Sequence, residues 1–454
     1  MRAFAVLGFN DKAFYKKMLA ISVPIMLQQL ISTAMYMVDT MMIGGLGDIQ
    51  LAGVGAANQI AFLLDVCMFG VMSGGSVFMA QYWGKGDHAG IRRTLGLCFM
   101  LGGGVAALFL LAALFAGGPF VSLFSNDPAV IASGLDYLSI AAWGYLFKAV
   151  IYPYGTVHKS CGKPLLPMIT GALAILVNMA LNYCLIYGNL GFPALGVKGA
   201  AIATIIGSAI DAVVLAALSN RKGSVARSPL RELLSQNKQA FLQFIGVSLP
   251  VFIDDAVWAL GTSASNLVFG RMGTDAFAAM MIVNTVDKLT FVMLIGIGTS
   301  CGVMLGNTLG EGAGDKAVVY AKRYLWMSGL AAVVLGLATV TLGSLIPDLY
   351  NVSESVRSLA SDTIVVLGAA LPIYALNFTT IVGVLRSGGD TRAAAILDLL
   401  PLWLIALPVA AVTGLLLGWS LPLVYLASNV PSGVVRLVLS MRRTSSRNWV
   451  RNVV

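Results

Sequence analysis

Apolar residues run through this chain in blocks too long for strands and too continuous for the surface helices of a soluble domain. Twelve such blocks stand between clusters of turn and charged residues. They lie at about 18–43, 52–79, 94–117, 130–155, 164–188, 197–219, 239–269, 276–305, 323–347, 357–384, 393–414 and 419–441. Each meets or exceeds the roughly 20 residues that carry a helix across a bilayer. They lack the strong period-two alternation of an outer-membrane barrel, and a segment in lipid must satisfy its own backbone groups, so the blocks predict helices. The expected fold is an all-α polytopic membrane protein with twelve transmembrane helices.

The polar positions inside these blocks carry the candidate chemistry. The stretch "MYMVDTMMIG", residues 35–44, places Asp39 among apolar neighbours. A carboxylate at the centre of a spanning helix costs about 2.5–3.5 kcal/mol, so such residues mark ion or substrate paths. Gln28, Ser32 and Asp39 fall on one helical face of the first block. Asn178 and Asn182, four apart, share a face of the fifth, and Thr204 lies on the sixth. If those three helices pack together, Asp39, Asn178, Asn182 and Thr204 form one cluster. Its oxygens suit a hard cation such as Na⁺, with Asp39, Asn178 and Thr204 as ligands. They equally suit a protonated carboxyl, so the residues leave H⁺ and Na⁺ both open. In the second half, Asp254 and Asp255 are adjacent, and Asp255, Thr262 and Asn266 share a face. Asp254 and Asp255 cannot both be buried and ionised cheaply; one is expected to face a cavity and the other to be protonated, paired or wet. Asp287 and Asp398 are further acids within blocks, and Tyr36, Trp258 and Asn377 complete the candidate cavity residues.

Charge orients the chain. Of its 454 residues 58% are hydrophobic and 11% charged, against about 25% charged in soluble proteins. The net charge of +9 would raise nucleic acid as the partner of a soluble protein. Here 24 of the 29 Lys and Arg fall at the two ends of the chain and in every second loop, which by the positive-inside rule makes both termini cytoplasmic and the span count even. Arg386 and Arg436 are read among these loop and terminal charges. The basic segment 1–17 is expected to lie along the cytoplasmic surface rather than to be cleaved. Five scattered cysteines show no metal-ligand spacing, and no zinc, protease or nucleotide motif is present. The expected partners are the bilayer and a small-molecule substrate, with no nucleic acid, no cofactor and no enzymatic activity, for a monomer.

The chain also repeats itself. "SVPIMLQQL" at 22 and "SLPVFIDDA" at 248 start alike, and a shift of 226 residues keeps them aligned without a gap to about residue 86. Pro24 matches Pro250, Asn58 matches Asn284, and "WGKG" at 83–86 matches "LGEG" at 309–312. The position matching Asp39 is Ser265. Each half holds six blocks, so the halves enter the membrane in the same sense, as a parallel repeat about a pseudo-two-fold axis along the membrane normal. The expected domains are a lobe at 1–219, a basic linker at 220–238 and a lobe at 239–454.

The stretches "SVPIMLQQLISTAMYMVDTMMIGGLGD…LAGVGAANQI", "NYCLIYGNLGFPALGVKGAAIAT" at 182–204 and "LRSGGDTR" at 385–392 resemble the multidrug and toxic compound extrusion (MATE) transporters, and the resemblance spans essentially the whole chain. It implies two six-helix lobes and export of drugs or metabolites driven by H⁺ or Na⁺ entry, in a bacterial-type inner membrane. It carries Asp39 over as the cation and proton site, with Asn178 and Thr204. Some members have an aspartate at Asn182, and many have a glutamate at Asp255. The acid that Na⁺-coupled members carry on the tenth span is not evident; that stretch offers Tyr374 and Asn377. The alternative is a lipid-linked precursor flippase, expected to need a strongly basic cavity.

Overall fold

The computed structural model describes residues 11–228, 232–233, 237–350 and 352–454. Most of the expected surface segment, residues 1–10, and parts of the basic linker, 229–231 and 234–236, lie outside the described residues. Among the described residues there is no strand. The helices are α1 (Lys12–Gly44), α2 (Asp48–Lys85), α3 (His88–Ser122), α4 (Pro128–Ala141), α5 (Gly144–Ser160), α6 (Leu165–Tyr187) and α7 (Val197–Ser219). After the linker come α8 (Lys238–Arg271), α9 (Thr274–Gly310), α10 (Gly314–Leu342), α11 (Glu354–Leu385), α12 (Thr391–Leu416) and α13 (Leu421–Ser445).

Among the described residues eleven of these are long and apolar enough to cross a membrane, or twelve if α4 and α5, bent by 52° at their break, count together as one span. Several outrun their apolar blocks. The 38 residues of α2 rise about 57 Å at 1.5 Å per residue, well beyond a hydrocarbon core of about 30 Å. Local signals fix the ends. Asp87 caps α3 by accepting from the Gly90 amide at 2.9 Å, and Asp127 caps α4 ahead of Pro128. The repeat is written into the backbone: Gly86 and Gly312, 226 positions apart, both take φ of +76°, the left-handed conformation that glycine adopts without steric cost. Pro24 and Pro250 both sit inside their helices.

The chain divides into two compact units, and the division cuts through helices. One comprises Leu27–Met79 and Asp87–Ser248. Within it α7 packs against α4, α5 and α6, and α3 against α5. The other comprises Met1–Met26, Ala80–Gly86 and Leu249–Val454. There α11 is central, packed against α9, α10 and α13. Its apolar core includes two large clusters. One gathers Val283, Val286, Ile364, Leu371 and Val424; the other gathers Phe14, Ile21, Met304, Tyr324, Val384 and Trp449.

The structure revises the reading of two arginines. Arg386, read as a cytoplasmic loop charge, is buried to 3% exposure. Its backbone amide bonds back to the Ile381 carbonyl at 3.1 Å, because the last turns of α11 over Thr379–Leu385 widen to π-helical bonding. The side chain lies inward, paired with Asp254 and Asp255, instead of in solvent. Arg436, read as part of the C-terminal cluster, lies within α13 and pairs with Asp398 at 2.9 Å.

Candidate functional site

The first polar cluster is assembled from three helices of one unit. The Asn182 side-chain amide on α6 donates to the Asp39 carboxylate on α1 at 2.5 Å. The same amide nitrogen donates to Asn178 Oδ1, one turn earlier, at 3.2 Å. Both asparagines are buried, at 7% and 1% exposure. The i, i+4 spacing aims the two side chains the same way, and the close packing of α6 on α7 fixes that face. The Thr204 hydroxyl on α7 donates to the Ala200 carbonyl of its own helix at 2.9 Å. It also lies beside the hydroxyl of Tyr137 on α4, which in turn feels the charge of Asp39. Asp39, Asn178 and Asn182 thus meet directly, with Thr204 and Tyr137 alongside.

Asn182 Oδ1 is buried and has no hydrogen-bond partner. An unsatisfied buried oxygen costs roughly 1–3 kcal/mol, and next to a carboxylate it is a ready ligand for a cation or acceptor for a donor. Among the described residues no group of three or more His, Cys, Asp or Glu could hold a metal. Any cation held here rests on one carboxylate with amide and hydroxyl oxygens, a donor set that fits a hard monovalent ion.

The second cluster is charge-dense. Arg386 Nη2 donates to Asp254 Oδ2 at 2.8 Å and to Asp255 Oδ1 at 2.9 Å, all three side chains being largely buried. Asp398, itself paired with Arg436 at 2.9 Å, acts electrostatically on both aspartates. Three carboxylates thus face two guanidiniums. Asp254 Oδ1, Asp255 Oδ2 and Arg386 Nε and Nη1 are buried without partners.

The remaining candidates are more dispersed. Gln28 Nε2 donates to the Pro167 carbonyl at 3.3 Å. Ser32 and Thr262 bond carbonyls of their own helices, those of Gln28 and Trp258, each at 2.9 Å. Tyr36 and Trp258 are exposed, and Asn266 is half-buried. Asp287 is half-buried and acts electrostatically on Tyr374 and Tyr425. Asn377 is buried and donates to the Gly433 carbonyl at 2.9 Å, tying α11 to α13.

Three comparisons place the chain among known proteins. The MatE family pattern matches residues 24–184 and 250–412, one match in each sequence half. The chain is a member of the MatE family. Its relatives include the multidrug resistance protein PmpM of Pseudomonas aeruginosa, 29% identical over 90% of this chain and 86% of that one. The multidrug resistance protein MdtK of Edwardsiella ictaluri is 27% identical over 87% and 86%. The uncharacterized transporter YisQ of Bacillus subtilis is 24% identical over 97% and 96%. Among solved structures, a MATE transporter in the bent conformation superposes with a TM-score of 0.87 at 17% identity over 96% of each chain. VcmN of Vibrio cholerae, also bent, gives 0.86 at 19% identity over 97% of this chain and 99% of that one. These likenesses establish the fold of this MatE protein as that of a multi-pass membrane transporter.

Sequence reasoning missed two parts of these clusters. Tyr137 reads as one aromatic in an apolar block and carries no signal of its own. Arg386 stands in "LRSGGDTR", where the glycines and flanking charges read as a loop; the acidic pair it neutralises is 131 and 132 positions away.

Proposed function

We propose that this MatE protein is a secondary active antiporter that exports amphipathic, cationic drugs or metabolites in exchange for H⁺ or Na⁺. The lobes 1–219 and 239–454, joined by 220–238, alternate the access of a common path. The chain sits in a bacterial-type inner membrane as a monomer with both termini cytoplasmic, and it works without an enzymatic cofactor. Multidrug resistance relatives at 27% and 29% identity support drug export.

The observation that carries the coupling is the Asp39 carboxylate held by Asn182, whose own carbonyl oxygen is buried and unpartnered. Binding a proton or Na⁺ there neutralises a charge in the bundle and supplies the missing partner. Ion and substrate need share no ligand; they need only favour opposite-facing states. A lipid-linked precursor flippase is disfavoured because the guanidiniums Arg386 and Arg436 are each engaged by carboxylates, Asp254 and Asp255 for the one and Asp398 for the other.

The test is efflux of a fluorescent organic cation from proteoliposomes under an imposed Na⁺ gradient and, separately, a pH gradient, for wild type, Asp39→Asn and Asp255→Asn. Gradient-driven efflux that is lost in Asp39→Asn supports the reading. Efflux by Asp39→Asn at the wild-type rate, or no gradient dependence in wild type, overturns it.

A further inference from the structure

The last turns of α2 and the carboxyl-terminal tail meet within one compact unit. Residues 80–86 belong to the unit of the second sequence half, whereas the rest of α2 belongs to the other. There they lie against the end of α9. A Cβ on Gly84 would collide with the Asn307 carbonyl oxygen, and one on Gly310 with the Gln81 carbonyl oxygen. Gly84 and Gly310 are 226 positions apart, and so are Gln81 and Asn307. The repeat thus places the same contact on each helix, and the two cross backbone to backbone, as small residues permit.

The crossing is symmetric, but its fastening is not. The Gln81 side chain is fully buried. Its Nε2 donates to the Ser387 carbonyl at 3.0 Å and to the Arg451 carbonyl at 3.2 Å, and its Oε1 accepts from the Val453 amide at 2.8 Å. The tail that receives it is itself seated. Trp449 is 1% exposed, its indole nitrogen donates to the Thr444 carbonyl at 2.9 Å, and a Cβ on Gly389 would collide with the Val453 side chain. The turn that brings the tail back from α13 is strained. Arg447 takes φ of +56°, in the left-handed region that residues other than glycine seldom adopt. Such a conformation persists only where the surrounding contacts over-determine it.

We propose that Gln81 and the tail at 451–453 form a clasp. It keeps the α2–α9 crossing shut at the end of the bundle that the reading above places in the cytoplasm, and the path opens to the cytoplasm only when Gln81 lets go of the tail. This rests on the alternating-access reading and adds the element that biases it. The glycines let the helices approach but donate no side-chain bond, whereas the three bonds of Gln81 must break for the helices to part. A buried amide stripped of its partners is costly, so the clasp releases only as the end of α2 reaches water. The tail stays behind, because Trp449 anchors it.

Asn307→Cys, at a position 2% exposed, reports the crossing. Everted membrane vesicles holding this full-length parent are labelled with a membrane-impermeant maleimide, and modification at each cysteine is read by mass spectrometry. Two changes are made in the parent. Gln81→Leu keeps the volume but has no amide, and a chain ending at Val450 keeps Trp449 but lacks the partners at 451 and 453. Each is expected to speed labelling at position 307 at least tenfold, while the buried Cys98 stays as slow as in the parent. Combined, they are expected to act no faster than the stronger alone, because they break the same bonds. Labelling at position 307 within twofold of the parent in both variants, or effects that multiply when combined, would overturn the proposal. Equal acceleration at Cys98 would also overturn it, and would make the contact a general support of the fold. The labelling needs neither substrate nor gradient. Efflux that follows no gradient, with the clasp effect intact, therefore counts against the antiport reading alone.

Discussion

Arg386 grips Asp254 at 2.8 Å across 132 positions of sequence, and the same nitrogen also holds Asp255. One guanidinium thus tethers the widened end of α11 to the middle of α8. Its remaining nitrogens and the outer carboxylate oxygens are buried and unpartnered. In a buried network of this kind, removal of one partner costs more than the pair contributes, because the other charges stay behind.

Arg386→Met is therefore expected to destabilise the protein by about 3–5 kcal/mol, seen as a lowered melting temperature in detergent. Adding Asp254→Asn and Asp255→Asn to that variant removes the stranded charges and is expected to recover most of the loss. A triple variant no more stable than Arg386→Met would show that shape, and not charge, is what Arg386 supplies.

Asn182 is expected to matter through its amide rather than its volume. A hydrogen bond to a charged group contributes about 1.5–3 kcal/mol, which corresponds to tenfold or more in an equilibrium. Asn182→Leu, of similar size but with no donor, is expected to cut gradient-driven efflux at least tenfold at normal expression. Efflux within twofold of wild type would remove Asn182 from the coupling site.

Just ahead of α1, Asp11 Oδ2 meets Arg323 Nη1 at 2.6 Å while the Arg323 guanidinium lies over the Phe14 ring, 5.2 Å from the centroid. The Arg323 hydrogen bond, with that from the Phe14 amide, holds the Asp11 carboxyl below its ordinary value of 3.8. A depressed carboxyl contributes stability above its unfolded pKa and loses it as pH falls through the folded one. Asp11→Asn is thus expected to lower the melting temperature slightly at pH 7. The difference from wild type should close below the ordinary carboxylate range. A difference that persists unchanged in acid would mean that packing, not the ion pair, is responsible.

The carboxyl-terminal tail is seated on a glycine. A Cβ on Gly388 would stand 1.7 Å from the Trp449 carbonyl oxygen, and Trp449 itself is buried. Gln81 clasps the tail beyond it, accepting from the Val453 amide at 2.8 Å and donating to the Arg451 carbonyl at 3.2 Å. Gly388→Ala is expected to unseat this segment and to speed tryptic cleavage after Arg447 and Arg451. Mass spectrometry of a timed digest reads this out, and cleavage at the wild-type rate would mean that the contact is absorbed elsewhere.

By itself the sequence determined what local composition and periodicity encode. Long apolar blocks specify spanning helices because lipid leaves the backbone no other partner. The shift of 226 residues specifies matching halves, down to the paired left-handed glycines Gly86 and Gly312. The cost of an intramembrane carboxylate singled out Asp39, and spacing put Asn178 and Asn182 on one face. Only the tertiary structure decided what meets what. Asn182 reaches Asp39 across 143 positions, and no local period encodes that distance. Arg386 was misread because a charge beside two glycines looks the same in a loop as at the end of a widened helix turned inward. Lys148 and Asp65 each interrupt an apolar block in the manner of Asp39, yet their pairing, at 2.6 Å, exists only once the chain has folded. Burial and charge compensation belong to the assembled helices, because the energy of a charge depends on the neighbours that folding brings to it.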